Sequence, residues 1–599
     1  MTAIQEFTEP ELVSPPVTGS LTDQLLDSER TAPDTAAIAL PRDGGWHTLT
    51  YREFADDVRA VAKGIVASGV AVGERVGIMS RTRYEWTLVD YALWYAGAVP
   101  VPIYETSSAE QVEWILGDSG AVGVFLESER HVAVVDQVAG ALPAVTRRWV
   151  FDDGAVDALR AAGTEVTDEA LDERRTSVTP DSVATIIYTS GTTGRPKGCT
   201  LTHRNFMFEV DATIAGAPEV FAPGQSTLLF LPLAHVFGRV IEIACIRGRI
   251  LLAHTADVAN LLPNLASFQP TFLLSVPRVF EKVYNGAQAK AAADGKGKIF
   301  DTAAATAIDY SRALDNGGPG LILRLKHALF DRLVYGKLRQ AMGGRVTHAV
   351  SGGAALGERL GHFFRGIGVT ILEGYGLTET SAAATVNRPG ELKVGSVGRP
   401  IPGTSIRIAE DGEVMIAGPH IFSGYWNNEV ATKEAIEADG WFHSGDIGQI
   451  DAEGYLRITG RKKELIVTAG GKNVAPAVLE DRLRAHPLVS QCMVVGDGQP
   501  YIAALVTLDV ESLPAWLTAQ GKATDTPVAD LATDPDVVAA IQGAVDDANK
   551  AVSKAESIRK FQILPVDWTE EGGELTPSLK LKRNVVMKEF ATEVEGLYA

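Results

Sequence analysis

Apolar and polar residues recur along the chain with two alternating periods. Between residues 51 and 69, apolar side chains recur at helical spacing, and Gly69 is placed to end that helix. Short, almost wholly apolar segments at 76–80, 99–104 and 122–127 predict buried strands with helices between them. This alternation predicts right-handed βαβ units, a mostly parallel sheet covered by helices, and ligands at the carboxyl ends of the strands.

The rest of the chain divides into regions that differ in their pattern of apolar, polar and glycine residues. The start, before residue 51, reads as loop-like, and the apolar segment 228–239 predicts a strand. Ala-rich residues 285–342 predict a helical insert, and short strands with turns at 395–460 predict an antiparallel, barrel-like subdomain. Glycines and basic residues at 460–476 predict a hinge.

The expected fold class is therefore α/β. It has a large N-terminal domain (1–460) of parallel-rich sheets covered by helices, which includes the barrel-like subdomain. A smaller, mobile α+β C-terminal domain (461–599) follows.

Composition narrows the classes of function. Hydrophobic residues at 46% and charged residues at 22% indicate an ordinary soluble globular protein. The net charge of -20 argues against broad binding to nucleic acid or to anionic membranes. Three widely spaced cysteines predict neither disulfides nor zinc and fit a reducing cytoplasm. A signal peptide and an apolar run of about 18 residues are not expected, and contact with a membrane surface stays open.

Residues 188–198 read YTSGTTGRPKG and directly follow the apolar segment VATII. Glycines allow successive backbone N–H groups to face one anion, and a lysine adds roughly 4 kcal/mol against a phosphate at 4 Å and an effective dielectric near 20. Pro196 before the lysine distinguishes this segment from the GxxxxGK[ST] loop. The segment predicts a polyphosphate-binding loop, and a solvated Gly/Thr turn is the alternative. Its candidate ligands are Thr189, Ser190, Gly191, Thr192, Thr193, Gly194 and Lys197.

Two further strand ends carry groups suited to a ligand. Residues 346–357 end in Gly352 and Gly353, where backbone can approach a ligand closely. Residues 369–380 gather aromatic, hydroxyl and carboxylate groups, namely Glu373, Gly374, Tyr375, Gly376, Thr378 and Glu379. His235 and Phe237 end the apolar segment 228–239, although a histidine in such a segment is more often a satisfied core residue.

Five ordered segments together resemble the adenylate-forming, AMP-binding enzyme superfamily. They are YTSGTTGRPKG, YGLTET, HSGDIG (443–448), GRKKELIVTAGGKNVAP (460–476) and LTPSLKLKR (575–583). The helical insert, SVPRVFEKVY and VDYALWYAGAVPVPIYETSS are most similar to long-chain fatty acyl-CoA synthetases. The resemblance covers essentially the whole chain.

The resemblance implies ATP, a fatty acid and coenzyme A as substrates, and Mg²⁺ as cofactor. It implies Thr189 and Glu379 as metal ligands, with Thr378 and Glu379 beside the reacting groups, and Asp446 and Arg461 at the ribose. Lys580, preferred over Lys582, is the lysine expected to assist adenylation. Lys462 is the expected hinge, Gly470, Gly471 and Lys472 the coenzyme A segment, and His235 and Phe237 the acyl entrance.

Two other functions stay open at this point. A fatty acyl-AMP ligase would load a carrier protein, but the insertion typical of that group is not evident around 448–470. A catalytically silent scaffold would not need Lys197, Glu379, Asp446, Arg461 and Lys580. The expected location is cytoplasmic, without nucleic-acid partners, and a homodimer is left open.

Overall fold

A four-stranded parallel sheet forms the first layer of this computed structural model, which describes residues 3–42, 44–189, 195–576 and 580–599. Its strands, in spatial order, are Val99–Ile103, Arg75–Met79, Gly123–Leu126 and Arg147–Val150. The helices of this region are Tyr51–Ala67, Tyr84–Tyr95, Ala109–Ser119, Glu129–Asp136, Ala155–Ala162 and Asp168–Ser177. The predicted alternation of strand and helix is confirmed here.

Two further sheets contain parallel strands with antiparallel edges. One is ordered Ser226–Leu229, Leu251–His254, Ala36–Arg42 and Gly45–Thr50, with the last pair antiparallel. The other is ordered Phe272–Ser275, His348–Ser351, Thr370–Tyr375, Thr385–Val386 and Arg399–Pro400, with its first three strands parallel. Their helices include His203–Gly216, Val236–Gly248, Leu261–Phe268 and Glu358–Gly366.

Two local expectations are wrong. The start of the chain is not loop-like, because it contains strands Ala3–Ile4 and Glu6–Thr8, helix Leu21–Thr31 and the hairpin 36–50. The apolar segment 228–239 is not one strand, since the strand ends at Leu229 and a helix begins at Val236. A short apolar run does not by itself distinguish a buried strand from a buried helix.

A fully buried ion pair ties this helix to the first layer. Arg239 contacts Asp90 with N–O distances of 2.5 and 3.1 Å, and both side chains are completely buried. The guanidinium also lies over the rings of Trp86 and Trp94. Removing one partner of such a pair leaves an uncompensated buried charge, which typically costs about 3–5 kcal/mol.

The predicted helical insert is present. It consists of helices Pro277–Ala293, Gly297–Leu314 and Leu321–Phe330, a π-helical turn Asp331–Tyr335, and helix Gly336–Ala341. It packs closely on helix Glu358–Gly366, because a Cβ added at Gly366 would lie 2.1 Å from the carbonyl oxygen of Ala307. Glycine is therefore required at this crossing.

The barrel-like subdomain is a six-stranded antiparallel sheet. Its strands are Ala3–Ile4, Phe442–Asp451, Glu413–Ala417, Ser405–Ile408 and Glu6–Thr8, with Leu456–Arg461 paired to Phe442–Asp451. Helix Glu429–Ala435 lies beside it. The two N-terminal strands were not anticipated, because each has only two or three residues and shows no readable period.

The C-terminal region carries a mixed three-stranded sheet and a small hairpin. The sheet contains Val489–Val495, Ile502–Leu508 and Ile558–Ile563, and the hairpin pairs Ile466–Val467 with Asn473–Val474. Its helices are Pro476–Arg484, Leu513–Ala519, Val528–Leu531, Pro535–Asn549, Arg583–Glu589 and Ala591–Gly596. Among the described residues, every cluster of buried apolar side chains lies wholly on one side of residue 460. The division at 460 itself stays a prediction.

The three cysteines, Cys199, Cys245 and Cys492, are free and buried. Within the described ranges, no helix is both long and apolar enough to cross a membrane.

Candidate active site

The predicted phosphate loop connects two antiparallel strands, Val183–Thr189 and Lys197–Thr202, which place Lys197 directly opposite Thr189. Beside it, the Trp114 indole donates to the Pro196 carbonyl at 2.8 Å, and the Arg195 guanidinium lies 4.8 Å from the centre of the Trp114 ring. The expectations for Ser190, Gly191, Thr192, Thr193 and Gly194 fall outside the described residues.

The two predicted metal ligands approach each other across a cysteine. Thr189 Oγ1 lies 3.8 Å from Cys199 Sγ, and burial together with the adjacent Glu379 carboxylate raises the pKa of that thiol. Tyr425 donates from its hydroxyl to Glu379 Oε1 at 2.9 Å, and Lys197 Nζ lies 4.9 Å from the centre of the Tyr425 ring. Hydroxyl and carboxylate oxygens thus gather beside the phosphate-loop lysine.

A second cluster joins Tyr375, Asp446 and Arg461. The Tyr375 hydroxyl donates to Asp446 Oδ2 at 2.7 Å, and Arg461 Nε lies 3.0 Å from Asp446 Oδ1. Burial raises the pKa of Asp446, although Arg461 and the Tyr375 hydrogen bond oppose that shift. A carboxylate offers about four acceptor positions, so two stay available for hydroxyl groups of a ligand.

Close backbone packing explains the glycines around this cluster. A Cβ added at Gly376 would lie 1.6 Å from the Ala382 carbonyl oxygen, and one at Gly374 would lie 3.1 Å from the Thr385 carbonyl oxygen. Gly353 has a φ of +83°, which favours glycine. Gly352 borders Phe237, whose ring would lie 3.4 Å from an added Cβ.

Glu373 has a local role that the sequence did not reveal. Its Oε1 accepts a hydrogen bond from the Leu356 backbone at 2.9 Å, so the carboxyl group holds the loop that follows Gly353. Burial raises the pKa of Glu373 to about 7. Thr378 and Glu379 begin the 3₁₀ turn Thr378–Thr380, which follows the strand that carries Glu373.

His235 caps the helix that begins at Val236. Its Nδ1 accepts from the Phe237 backbone N–H at 3.2 Å. Burial lowers the pKa of His235 to about 3, and the positive charge of Lys580 adds to that shift. The imidazole is therefore neutral at physiological pH, and His235 lies within electrostatic reach of Lys580.

Lys580 lies within electrostatic reach of Arg461, Asp446 and Glu379, and the space between these residues is called the cleft. Two hydrogen bonds join Lys580 to Thr576. The Thr576 N–H donates to the Lys580 carbonyl at 2.8 Å, and the Lys580 N–H donates to Thr576 Oγ1 at 3.0 Å. The side chain is accessible to water, yet the surrounding protein lowers the pKa of its ammonium group, as does Arg461. Asp446 and Glu379 act in the opposite direction, so all three groups lie close enough to interact.

Comparison with known proteins identifies the family. The sequence profile of AMP-binding enzymes matches residues 26–426, and that of the AMP-binding enzyme C-terminal domain matches residues 463–599. This chain belongs to the AMP-binding enzyme family. The predicted resemblance is confirmed.

Relatives of this AMP-binding enzyme include named ligases. It is 54% identical over 577 residues to the long-chain-fatty-acid–CoA ligase FadD15 of Mycobacterium bovis, covering 96% of each chain. It is 31% identical to the long-chain-fatty-acid–CoA ligase ACSBG2 of Xenopus laevis, covering 94% of this chain and 82% of that one. The A domain of a carboxylic acid reductase from Segniliparus rugosus has the same fold, with a TM-score of 0.74 at 22% identity over 97% of this chain and 94% of that one. The predicted fold class is confirmed.

The predicted hinge and coenzyme A segments of this AMP-binding enzyme make contacts of their own. Lys462 Nζ contacts Asp411 Oδ2 at 2.5 Å and Glu413 Oε2 at 2.9 Å, both in the barrel-like subdomain. Gly470, Gly471 and Lys472 form the turn of the hairpin, where the Thr468 N–H donates to the Lys472 carbonyl at 3.0 Å. Lys472 Nζ lies 3.5 Å from Glu556 Oε1, so the hairpin is held by the C-terminal region itself.

Ion pairs dock the C-terminal region onto the helical insert. Arg278 contacts Asp509 at 2.8 Å, and Lys282 contacts Glu511 at 2.9 Å. Both basic residues lie on helix Pro277–Ala293. The same structure therefore contains both the docked C-terminal region and Lys580 at the cleft.

Sequence reasoning missed Tyr425 and Cys199 as members of the site. Strand Gly424–Tyr425 pairs with strand Lys197–Thr202, and this pairing places Tyr425 opposite Cys199. The surroundings of Tyr425, FSGYW at 422–426, belong to the range 395–460 for which the sequence predicted only short strands of a barrel-like subdomain. A single sequence contains no pattern that would reveal the pairing of Tyr425 with Cys199.

Proposed function

We propose that this chain is a long-chain fatty acid–CoA ligase that forms AMP. The supporting observation is the convergence of Lys580, Arg461, Asp446 and Glu379 at one cleft beside the phosphate-loop lysine. That set suits a reaction between two anions, which requires positioning and charge neutralisation more than proton transfer. The names of the relatives support the choice of a long-chain acid and of coenzyme A.

In the first half-reaction, a carboxylate oxygen of the fatty acid attacks the α-phosphorus of ATP. A P–O bond forms to give acyl-adenylate, and the bond to pyrophosphate breaks. Lys197 is proposed to hold the β- and γ-phosphates, and Lys580 to bridge the carboxylate and the α-phosphate. Asp446 would accept hydrogen bonds from the ribose hydroxyls, with Arg461 beside the sugar. The backbone around Gly352–Gly353 and Gly374–Gly376 would receive the adenine.

Thr189 and Glu379 fit Mg²⁺. Both offer hard oxygen donors, and their mutual approach through Cys199 and Tyr425 leaves the other coordination positions to substrate phosphates and water. The ion, when bound, would neutralise phosphate charge. Cys199 does not compete as a ligand, because soft thiol sulfur is a poor donor for this hard ion.

In the second half-reaction, the thiol of coenzyme A attacks the acyl-adenylate carbonyl. The C–S bond of the thioester forms as AMP leaves, and the thiol proton passes to solvent. Lys580 must vacate the cleft for this step, and we propose that rotation near Lys462 replaces it with residues 470–472. His235 and Phe237 would border the acyl chain, with His235 neutral.

Two alternative functions are compatible with the same fold, namely a fatty acyl-AMP ligase and a catalytically silent scaffold. A fatty acyl-AMP ligase would be restrained by an insertion before the C-terminal region, whereas strand Leu456–Arg461 here leads directly into the turn Lys462–Glu464. This short connection favours coenzyme A as the acceptor. A silent scaffold is disfavoured by the retained charged set at the cleft.

The proposal is tested with purified protein and a panel of fatty acids from short to very long. We expect fatty-acid-stimulated exchange of pyrophosphate into ATP and, after addition of coenzyme A, acyl-CoA and AMP in equal amounts. Accumulation of acyl-adenylate despite coenzyme A would indicate the acyl-AMP ligase. Absence of exchange with every acid would indicate the scaffold.

A further inference from the structure

Residues 378–383 form a strained turn, since two consecutive non-glycine residues in it have a positive φ. Ser381 has a φ of +55° and Ala382 a φ of +120°. Residues with side chains rarely adopt such angles, and they persist only where the surrounding structure holds them. The turn begins with Thr378 and Glu379, so the strain lies directly beside two predicted site residues.

The carboxyl group of Glu209 holds the end of the strained turn. Glu209 Oε1 accepts a hydrogen bond from the Ala383 backbone N–H at 3.1 Å, although 174 positions separate the two residues. Glu209 lies on helix His203–Gly216 and is only 1% exposed. Among the described residues, its Oε2 has no hydrogen-bond partner. Glutamate is seldom buried without a charged partner, so this position serves the contact with the turn rather than an ion pair.

The surroundings favour the neutral form of the Glu209 carboxyl group. Burial raises its pKa well above the ordinary value of 4.5, and the hydrogen bond from Ala383 opposes that shift. A neutral carboxyl group has one acceptor oxygen and one hydroxyl donor, which glutamine reproduces with its carbonyl oxygen and amide N–H. Glu209→Gln should therefore preserve the contact. Glu209→Met keeps an unbranched side chain of similar length and removes the oxygen acceptor.

The same helix holds the start of the strained turn by a second route. Asn205, one helical turn earlier, donates from Nδ2 to two carbonyl groups of segment 419–421 at 2.8 and 2.9 Å. That segment accepts a hydrogen bond from the Ser381 hydroxyl at 2.7 Å. The N–H of the next residue, Phe422, donates to the Glu379 carbonyl at 2.9 Å. The helix is therefore connected to both ends of the turn.

We propose that Glu209 is a positioning residue, which holds the strained turn and thereby fixes Thr378 and Glu379 at the cleft. It acts through the backbone at Ala383. Without that hydrogen bond, the strain at Ala382 favours a relaxed turn, which displaces the Glu379 carboxylate. Residues that orient a metal ligand typically change metal affinity or activity by about 10–100-fold when they are removed. The consequence for Mg²⁺ and ATP rests on the proposed function, whereas the hold on the turn does not.

Hydrogen exchange tests the hold on the strained turn in full-length protein without ligands. We expect slow exchange in a peptide that covers residues 376–386, measured by mass spectrometry. Glu209→Met should speed this exchange about tenfold, because the Ala383 N–H loses its acceptor. Glu209→Leu is a second variant without the oxygen acceptor, should the first not fold, and Glu209→Gln should exchange like wild type. Wild-type exchange in the variants that lack the acceptor would overturn the proposal.

Two further variants separate positioning from a general loss of stability. Phe206→Leu is the matched control, since it reduces another fully buried side chain of the same helix. It should lower the melting temperature and leave exchange at 376–386 unchanged. The double variant Glu209→Met/Ala382→Gly should recover part of the lost protection, because glycine adopts a φ of +120° without strain. Faster exchange in Phe206→Leu equal to that in Glu209→Met would overturn the proposal, because stability alone would then explain the effect.

Calorimetry of ATP binding at graded Mg²⁺ concentrations tests the consequence for the site. Glu209→Met should raise the Mg²⁺ concentration that half-saturates ATP binding about tenfold, and Glu209→Gln should leave it unchanged. Fatty-acid-dependent pyrophosphate exchange should lose kcat, with KM for the acid unchanged. An unchanged Mg²⁺ dependence despite faster hydrogen exchange would overturn the positioning role. Failure of wild-type protein to bind ATP, with hydrogen exchange still dependent on Glu209, would contradict the proposed function and support the hold on the turn.

Discussion

Lys580 and the hairpin turn 470–472 belong to the same C-terminal region but have different surroundings. Lys580 lies at the cleft, where Arg461, Asp446 and Glu379 act on its charge. The hairpin turn is held by Thr468 and Glu556, within its own region. The family resemblance marks both segments as parts of the active site. In this arrangement of the molecule, Lys580 lies near the predicted site residues, and the hairpin turn contacts its own region.

The largest expected effect comes from Lys580→Ala. We expect adenylation, measured by fatty-acid-dependent pyrophosphate exchange, to fall by about a hundredfold to a thousandfold, because a charge at the reacting groups is lost. Thioester formation from supplied acyl-adenylate should be nearly unchanged. Lys582→Ala is the matched control and should retain exchange. Equal losses in both half-reactions would break the comparison.

Gly471→Leu tests the other segment. Gly471 has a φ of +75° with open space around it, so a side chain strains the hairpin turn without a clash. We expect thioester formation to slow about tenfold through misplacement of the turn, with pyrophosphate exchange unaffected. Gly521→Leu is the control, since Gly521 also has a positive φ of +69° and open space. Loss of exchange in Gly471→Leu would place the turn in the first half-reaction.

The pH profile of adenylation sharpens the role of Lys580. Because its pKa is lowered from the ordinary value of 10.5, the ammonium loses its proton at a lower pH. The rate of exchange, measured as kcat/KM, should therefore decline on the alkaline side below pH 10.5, and Lys580→Arg should remove that decline because arginine stays charged. An unchanged alkaline limb in Lys580→Arg would assign it to another group.

The smallest effect is expected at the docking contacts. Lys282→Ala removes a largely exposed pair with Glu511, and such pairs contribute about 0–1 kcal/mol. We expect less than about a fivefold change in exchange and a comparable gain in thioester formation, if the pair favours the arrangement with Lys580 at the cleft. Lys433→Ala, which removes an exposed pair with Glu429 away from the contact, is the control. A loss in both half-reactions would show that the pair is merely structural.

Local patterns predicted much of the scaffold, and long-range contacts explain what they missed. The sequence pattern predicted helix Tyr51–Ala67 because one face of the helix is buried. It predicted strand Arg75–Met79 because both faces of the strand are buried. The segment around His235 was wrongly predicted as a strand, because a short run of apolar residues fits a buried strand and a buried helix equally well. The contact of Tyr375 with Asp446 joins residues 71 positions apart, and that of Tyr425 with Glu379 joins residues 46 apart. Motifs named the residues at the cleft, but pairing of distant strands determines which atoms meet.

Because all three native cysteines are buried, they should contribute little unwanted labelling when a fluorescent dye is attached to an introduced cysteine. Burial raises the pKa of each thiol, so maleimide dyes should react slowly with the folded protein. A donor dye on Val430→Cys and an acceptor on Val510→Cys would then sit on opposite sides of the hinge, at exposed positions. The efficiency of energy transfer in single molecules, recorded with ATP and then with coenzyme A, would count the arrangements that this chain visits during one turnover.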